Sequence, residues 1–173
     1  MRTEPELVST TGQLGHYDID VSRSTITFRT RHLFGLGPVT GTFAFRSGSV
    51  DVAEPLAESS VHAEIETASL DTGNRQRDRA VISARFLDSA HFPVMIFSSG
   101  LVSADGKTVS GMLTVRDVTR PVTFSVDQVA VSGQSFTAVA TIRIDRTEFG
   151  VTASPGLAGR YLDLSVEVQC VRK

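Results

Sequence analysis

Apolar and polar residues alternate with a period of two along most of this 173-residue chain. In residues 60–66, for example, apolar side chains alternate with a histidine and two glutamates. Successive side chains of a β-strand point to opposite faces, so this pattern predicts strands with one buried and one solvated face. About eight such segments, without βαβ spacing, predict an all-β antiparallel barrel or sandwich. Gly48 and residues 104–107 are predicted hairpin turns.

One segment departs from the alternation. Residues 75–83 combine charged residues with good helix formers and show no period of two. We predict one short helical insert in the β protein. Thr72 and Asn74 are candidate N-caps, since a short side-chain oxygen can accept a hydrogen bond from a first-turn amide. Pro93 marks the return to strand.

The length of the chain is that of one domain. Residues 1–14 lack periodicity and are expected to form a flexible N-terminal arm, followed by one β-barrel domain over residues 15–173. The segment 1–13 has no apolar core of the kind found in secretory signals, so a cytoplasmic location is expected. No run of about 18 apolar residues occurs, so we expect no membrane span.

Several classes of function are disfavoured by composition and motif content. Charged residues are 21% of the chain and the net charge is −2, so nucleic acid is not an expected partner. The histidines lack metal-ligand spacing, and neither a Gly-x-Ser-x-Gly elbow nor a phosphate loop is present. We therefore predict no catalytic residue, no metal and no cofactor. Cys170 shares the apolar phase of its strand and is expected to be a buried thiol.

Phenylalanine is unusually prominent, with ten Phe against two Tyr and no Trp. Phenyl rings offer apolar area without a polar group that needs a partner, which suits either a dry core or a hydrocarbon pocket. Composition alone favours the core. An eight-stranded barrel can hold one small ligand or fill itself with side chains. Small residues at alternating positions indicate either unfilled volume or close packing: Gly41, Ala63, Gly111, Ala138 and Ala140.

A cluster of charges surrounds the predicted helix. Arginines at 75, 77 and 79 accompany Asp71 and Asp78. The guanidinium groups could clamp an anionic head group, since they present fixed donors to phosphate. The alternative is an internal Arg77–Asp78 pair that fixes the helix against the barrel. We favour the pair, because the opposite charges neutralise each other.

Short motifs follow one another in a distinctive order from about Tyr17 to Val171. Those around the insert are Thr72-Gly73-Asn74 with Arg77-Asp78, Phe86-Leu87-Asp88, and Phe92-Pro93 with Phe97. Those elsewhere are Arg31-His32-Leu33 before Gly41-Thr42-Phe43, Gly111-Met112-Leu113-Thr114-Val115 before Val118-Thr119-Arg120-Pro121, and Arg146 with Phe149-Gly150-Val151. In order and spacing these motifs resemble the YceI family of lipocalin-like isoprenoid-binding proteins.

The resemblance implies an extended antiparallel eight-stranded lipocalin-like barrel with a short helical insert. It also implies an apolar tunnel that binds a long-chain isoprenoid or other amphiphilic lipid without catalysis. The candidate ligand-binding residues are Phe28, His32, Leu33, Phe34, Phe43, Phe45, Ile96, Leu113, Phe124 and Ile142. Two alternatives stay open: a hydrolase or isomerase acting in the same cavity, and a ligand-free stress-associated interaction module. A homodimer is also left open.

The chain departs from the pattern of the resembled family in three places. Tyr17 stands where a tryptophan is common, and residues 1–13 do not resemble the export signal that many members carry. Arg116-Asp117 stands where His-Gly often precedes the Val-Thr-x-Pro turn. This last change alters charge and turn geometry near one rim of the barrel, so the sequence leaves the polar end of the ligand undefined.

Overall fold

A computed structural model describes residues 14–32 and 37–173, apart from the side chain of His32. The predicted N-terminal arm lies outside this part except for its last residue. The strands are β1 (Gly15–Ile19), β2 (Thr25–His32), β3 (Gly37–Phe43), β4 (Phe45–Val52), β5 (Ser60–Glu66), β6 (Val94–Val102), β7 (Thr108–Val115), β8 (Val118–Ser132), β9 (Ser135–Asp145) and β10 (Tyr161–Arg172). The α-helix is α1 (Arg75–Ile82), and short 3-10 turns occupy Leu56–Glu58, Thr67–Ser69 and Arg146–Phe149.

Ten strand segments make eight positions in the sheet, because two pairs of segments lie end to end. β1 and β2 both pair with β10, through residues 170–172 and 163–167 respectively. β4 pairs with β1, and β3 pairs with β2. From β4 to β10 each strand pairs with the next in chain order, so the antiparallel ladder returns to β1 and closes. The predicted eight-stranded barrel with a short helical insert is confirmed.

The turns explain how the long strands bend. A turn at residues 21–23 separates β1 from β2. In this turn the Asp20 carboxylate accepts a hydrogen bond from the Ser22 amide at 3.1 Å. The predicted turn at 104–107 is confirmed, with Gly106 at a φ of 72°. The predicted hairpin at Gly48 is wrong. Gly48 lies inside β4, where an added Cβ would approach the Ile19 Cδ1 atom to 2.5 Å, and the chain only bends at Ala44.

The helical insert covers one end of the barrel, which we call the insert end. Asn74 caps α1 by accepting a hydrogen bond from the Arg77 amide at 3.0 Å, so one of the two predicted caps is confirmed. Three apolar side chains of this segment, Leu70, Phe86 and Leu87, are buried in the core. The turn that follows β9 adds Phe149 and Val151 to the same cluster. The insert therefore continues the core beyond the strands.

The predicted Arg77–Asp78 ion pair is wrong, because both side chains bind Thr72 instead of each other. The Asp78 carboxylate accepts from the Thr72 amide at 3.1 Å and from its hydroxyl. Arg77 donates through Nε to the Thr72 hydroxyl at 2.8 Å and through Nη2 to the Thr72 carbonyl at 3.0 Å. The neighbouring Asp71 exchanges backbone hydrogen bonds with Thr42 at 2.9 and 3.0 Å. This Thr72 clamp fastens the insert to the edge of β3.

Cys170 is completely buried in the last strand, as expected. Desolvation raises the pKa of its thiol to about 12, so the thiolate is scarce at neutral pH. Among the residues that the structure describes, no helix is long and apolar enough to cross a membrane.

Candidate functional site

The interior of the barrel has one wall in which the apolar side chains are fully buried. Cross-strand pairs such as Ile26 with Phe43 and Phe45 with Ile65 place these residues on the same inner face. The Phe28 and Phe43 rings lie 5.5 Å apart, centroid to centroid. We call this set the filled wall, and it consists of Ile26, Phe28, Phe43, Phe45, Ile65 and Phe97.

The opposite wall points to the same interior but stays partly accessible. Its strands also alternate, and the pairs Phe28 with Leu164 and Leu164 with Ile142 tie it to the inner face of the filled wall. We call this set the open wall, and it consists of Leu113, Val122, Phe124, Val126, Ala140, Ile142, Leu164 and Val166, all half-buried. From the partial accessibility of these inward side chains in a closed barrel we infer an unfilled interior volume beside them, which we call the lumen.

The small inward residues divide between the two alternatives that the sequence left open. An added Cβ at Gly41 would lie 2.4 Å from the Phe28 ring and 2.9 Å from the Thr72 methyl group. An added Cβ at Gly111 would lie 2.4 Å from the Ser98 carbonyl oxygen. These glycines allow close packing. Ala138 and Ala140, in contrast, are half-buried and lie along the lumen.

The apolar inner face reaches the surface at the end opposite the insert, which we call the hairpin end. There β8 extends past its neighbour β7, and Val129 and Val131 pair with Ala138 and Phe136 of β9. The two valines follow the inward phase, yet they are 49% and 37% exposed. Phe136 packs edge-on against the Tyr17 ring at 4.9 Å. The hairpin end thus joins the lumen to an exposed apolar surface.

The predicted ligand-binding residues fall into four groups. Phe28, Phe43 and Phe45 belong to the filled wall, while Leu113, Phe124 and Ile142 belong to the open wall. His32 ends β2, as expected of a strand-end residue, but its side chain lies outside the described part of the structure. Leu33 and Phe34 also lie outside it.

Ile96 is misassigned by the sequence analysis. Its cross-strand partners are Glu64 and Thr114, both on the polar outer face. The inward phase of β6 is set by its neighbours Met95 and Phe97, so Ile96 points away from the lumen. Its apolar character alone suggested a lining position.

The inner face carries almost no ionisable chemistry. Across the strand residues that the structure describes, the inward phase contains no aspartate or glutamate, and its one histidine is His32, at the end of β2 and cross-strand from Gly37. The other histidines of the described part do not lie on the inner face. His62, for example, is on the outer face and shares a hydrogen bond of 2.9 Å with Ser98. His16 contacts Asp51 at 2.7 Å, and this hydrogen bond raises the pKa of the imidazole. No group of residues suited to holding a metal ion occurs within 14–32 and 37–173.

Arginines at the insert end were not among the predicted site residues. Arg120 is cross-strand from Leu113, so it continues the inner face of the open wall, and its Nε donates to the Glu148 carbonyl at 3.2 Å. Arg146 is buried and donates to the carbonyl groups of Gly159 at 2.7 Å and Val151 at 2.8 Å. Desolvation lowers the pKa of Arg146 from its ordinary value.

The signal for this region in the sequence was the Arg116-Asp117 turn. Arg116 donates through Nη1 to the Phe86 carbonyl at 3.3 Å and to the Gly150 carbonyl at 3.5 Å. It therefore joins the insert to the turn after β9. The departure from the family pattern was visible, but the carbonyl groups that receive these donors come from distant segments.

A separate depression of about 460 Å³ lies over the outer face of β2, β9 and β10. Its polar side chains, including Thr27, Thr141 and Ser165, form one cross-strand row, and the Arg143–Asp163 ion pair of 2.8 Å stands at its edge. Three residues of the inward phase, Phe28, Ile142 and Leu164, also border the depression.

Comparison with known proteins identifies relatives along nearly the whole chain. The family model described as a YceI-like domain matches residues 17–170. A UPF0312 protein of Enterobacter sp. (strain 638) is 32% identical, with 96% of this chain and 93% of that protein covered. A UPF0312 protein of Shewanella baltica (strain OS155) is 31% identical, with 90% of this chain and 86% of that protein covered.

Two solved structures have similar folds. BcnA of Burkholderia cenocepacia has a TM-score of 0.78 and 24% identity, over 88% of this chain and 99% of that one. A polyisoprenoid binding domain from Saccharophagus degradans has a TM-score of 0.68 and 14% identity, over 91% of this chain and 98% of that one. At these identities the likeness concerns the fold.

Proposed function

Since this chain belongs to the YceI-like family, we propose that it binds a long-chain isoprenoid or similar amphiphilic lipid in its lumen, without catalysis, for storage or transport. The observation that carries the proposal is the open wall, whose inward apolar side chains remain half-buried. Burial of each CH₂ group of a ligand against such a wall contributes about 0.8 kcal/mol. A long hydrocarbon chain is the ligand class that gains most from an apolar lumen.

Two further observations support a binding role over an enzymatic one. General acid-base catalysis needs a titratable group close to the substrate, and the described inward phase offers no carboxylate and only one histidine, His32 at the end of β2. In addition, the similar fold from Saccharophagus degradans is described as a polyisoprenoid binding domain. Leu113, Phe124 and Ile142 of the open wall are the lining residues we propose from the described part, whereas Phe28, Phe43 and Phe45 are buried in the filled wall. His32, Leu33 and Phe34 stay predictions.

The direct test is to purify the protein and examine it by native mass spectrometry, followed by solvent extraction of any bound lipid. We expect either a co-purifying amphiphile or uptake of an added prenyl lipid at about one molecule per chain. A delipidated protein that takes up no isoprenyl compound would contradict the proposal. The ligand-free interaction module would then be the favoured alternative.

A matched pair of variants tests whether the lumen is the site. Ala140→Phe adds a ring to the inner face, whereas Val139→Phe adds the same ring to the outer face one residue earlier. We expect the inner substitution to lower prenyl-lipid uptake at least tenfold and the outer one to leave it unchanged, with melting temperatures recorded for both. Equal uptake by the two variants would place the lipid elsewhere.

The cytoplasmic location and the homodimer remain predictions. Cell fractionation tests the first, and sedimentation of the purified chain with and without lipid tests the second.

A further inference from the structure

The insert end holds two guanidinium groups whose donors are not all used. Arg116 and Arg120 each bind a backbone carbonyl of the turn after β9, Gly150 for the first and Glu148 for the second. These acceptors are two residues apart, so the two side chains converge on one turn. No ion pair within 4 Å joins either guanidinium to a carboxylate of the described residues. The pair therefore keeps its positive charge available.

Arg116 is held in an unfavourable state. Its φ is 56°, in the left-handed region that favours glycine, within the two-residue loop between β7 and β8. Its Nε is buried and has no hydrogen-bond partner among the residues that the structure describes. Both features lower the stability of the folded chain. A buried donor without an acceptor loses its hydrogen bonds to water, and a residue other than glycine is strained in the left-handed region. Such a combination is typical of a binding site.

Arg120 connects this pair to the lumen. It is cross-strand from Leu113 and two residues before Val122, both on the open wall. Its Nε is bound to the Glu148 carbonyl, while its terminal nitrogens have no acceptor in the described part of the chain. A surface pocket of about 280 Å³ adjoins Arg120, Pro121 and Glu148. This volume corresponds to several water molecules at roughly 30 Å³ each, enough for a small anionic group.

We infer that Arg116 and Arg120 select a phosphorylated head group, a monophosphate or diphosphate, on the lipid whose chain occupies the lumen. Guanidinium groups present planar, fixed pairs of donors that match phosphate oxygens, and their charge does not depend on pH in the physiological range. The hydrocarbon chain then runs from the insert end towards Val129 and Val131 at the hairpin end. This inference rests on the proposed function and adds the chemistry of the polar end.

The test compares ligands that share one chain and differ in the head group. Calorimetric titration with geranylgeranyl diphosphate and geranylgeraniol measures the preference, and inorganic diphosphate separates a lipid head-group site from a site for free phosphate. We expect the prenyl diphosphate to bind more tightly than the alcohol by on the order of 10- to 100-fold, as charged hydrogen bonds imply. Inorganic diphosphate is expected to bind far more weakly than its prenyl form.

Variants then assign the preference to the two arginines. Arg120→Gln and Arg116→Gly should each reduce the preference for the diphosphate and leave the affinity for the alcohol unchanged. Arg116→Gly relieves the positive φ but removes the hydrogen bonds to the Phe86 and Gly150 carbonyls. Melting temperatures are therefore recorded for both variants, and an unchanged affinity for the alcohol shows that the lumen is intact. Arg79→Gln on the exposed face of α1 is the matched control, and it should change neither affinity.

The outcomes are distinguishable. If both prenyl compounds bind equally, or if the preference survives the double variant, the head-group inference is overturned while the proposed function stands. If neither compound binds, the proposed function fails and this inference fails with it. Inorganic diphosphate binding as tightly as the prenyl diphosphate would replace the lipid site by a site for free phosphate.

Discussion

The filled wall and the open wall of this barrel have the same alternation of apolar and polar residues, but their inward side chains are packed differently. On the filled wall, phenylalanine rings from β2, β3, β4 and β6 are buried, and those of Phe28 and Phe43 contact each other. On the open wall, Phe124 and a majority of smaller side chains, namely valine, leucine, isoleucine and alanine from β7 to β10, are half-buried. Both walls are apolar, so hydrophobicity alone does not distinguish core from lumen.

What differs is the size of the side chains and the support behind them. Phenylalanine reaches further into the barrel than valine or alanine, and the Thr72 clamp presses the insert against Gly41 beside the Phe28 ring. Protein interiors are close-packed, so a fully buried wall responds strongly to any change in volume. A wall that borders open volume should tolerate such changes and transmit them to ligand affinity.

The largest effect is expected on the filled wall. Phe43→Ala removes a buried ring 5.5 Å from Phe28, and transfer and cavity terms should together lower the free energy of unfolding by about 3 to 5 kcal/mol. Chemical denaturation of the lipid-free protein measures it. A loss below about 1 kcal/mol would mean that Phe43 borders the lumen, and the two walls would then not differ as described.

The next effect concerns the clamp that supports the filled wall. Asp78→Ala removes the carboxylate that accepts from the Thr72 amide and hydroxyl, so the free energy of unfolding should fall by about 1.5 to 3 kcal/mol. Prenyl-lipid affinity should change little, since Asp78 supports the insert. A variant that loses affinity and keeps its stability would instead make the charges around α1 part of the binding site.

A smaller effect is expected at Gly41, where the Thr72 methyl group approaches the filled wall. Gly41→Ala places a Cβ within 2.4 Å of the Phe28 ring, and overpacking should cost about 1 to 3 kcal/mol. Ala140→Val is the matched change on the open wall, and it should cost less than about 0.5 kcal/mol because the lumen accepts the added methyl groups. Equal costs at the two positions would show that both walls are packed alike.

Much of the fold could be predicted because alternation is a local property. Strand positions, the break after β1, the Asn74 cap and the burial of Cys170 follow from neighbouring residues. Gly48 failed as a turn because its small size serves contact with Ile19, which comes from a different strand. A glycine in a strand pattern does not show whether it marks a bend or a close approach.

The site was predicted less completely, since its properties depend on distant segments. Ile96 was assigned to the lumen for its apolar side chain, although the phase of β6 turns it outward. Arg77 and Asp78 were paired for their charges, but their common partner is Thr72. Which wall is filled could not be predicted at all, because alternation defines an inner face without defining how far opposite side chains reach.

Of the two substitutions that remove a ring, the smaller loss of stability, and the more informative one, is expected for Phe124→Ala on the open wall. The Phe124 ring packs edge-on against Phe97 at 5.2 Å but is only half-buried, so its removal should cost the lipid-free protein about 1 to 2 kcal/mol. The same substitution removes part of the lumen surface, so it should also weaken binding of a prenyl lipid or change the preferred chain length. Denaturation curves with and without lipid separate the two contributions, because a lipid that binds only the folded chain adds stability that grows with the logarithm of its affinity. A reduced lipid-dependent increment in Phe124→Ala, beside an unchanged increment in Val139→Phe, would assign the affinity to the open wall. A loss as large as that of Phe43→Ala with no change in the increment would identify Phe124 as core and leave the barrel without a lumen on this side.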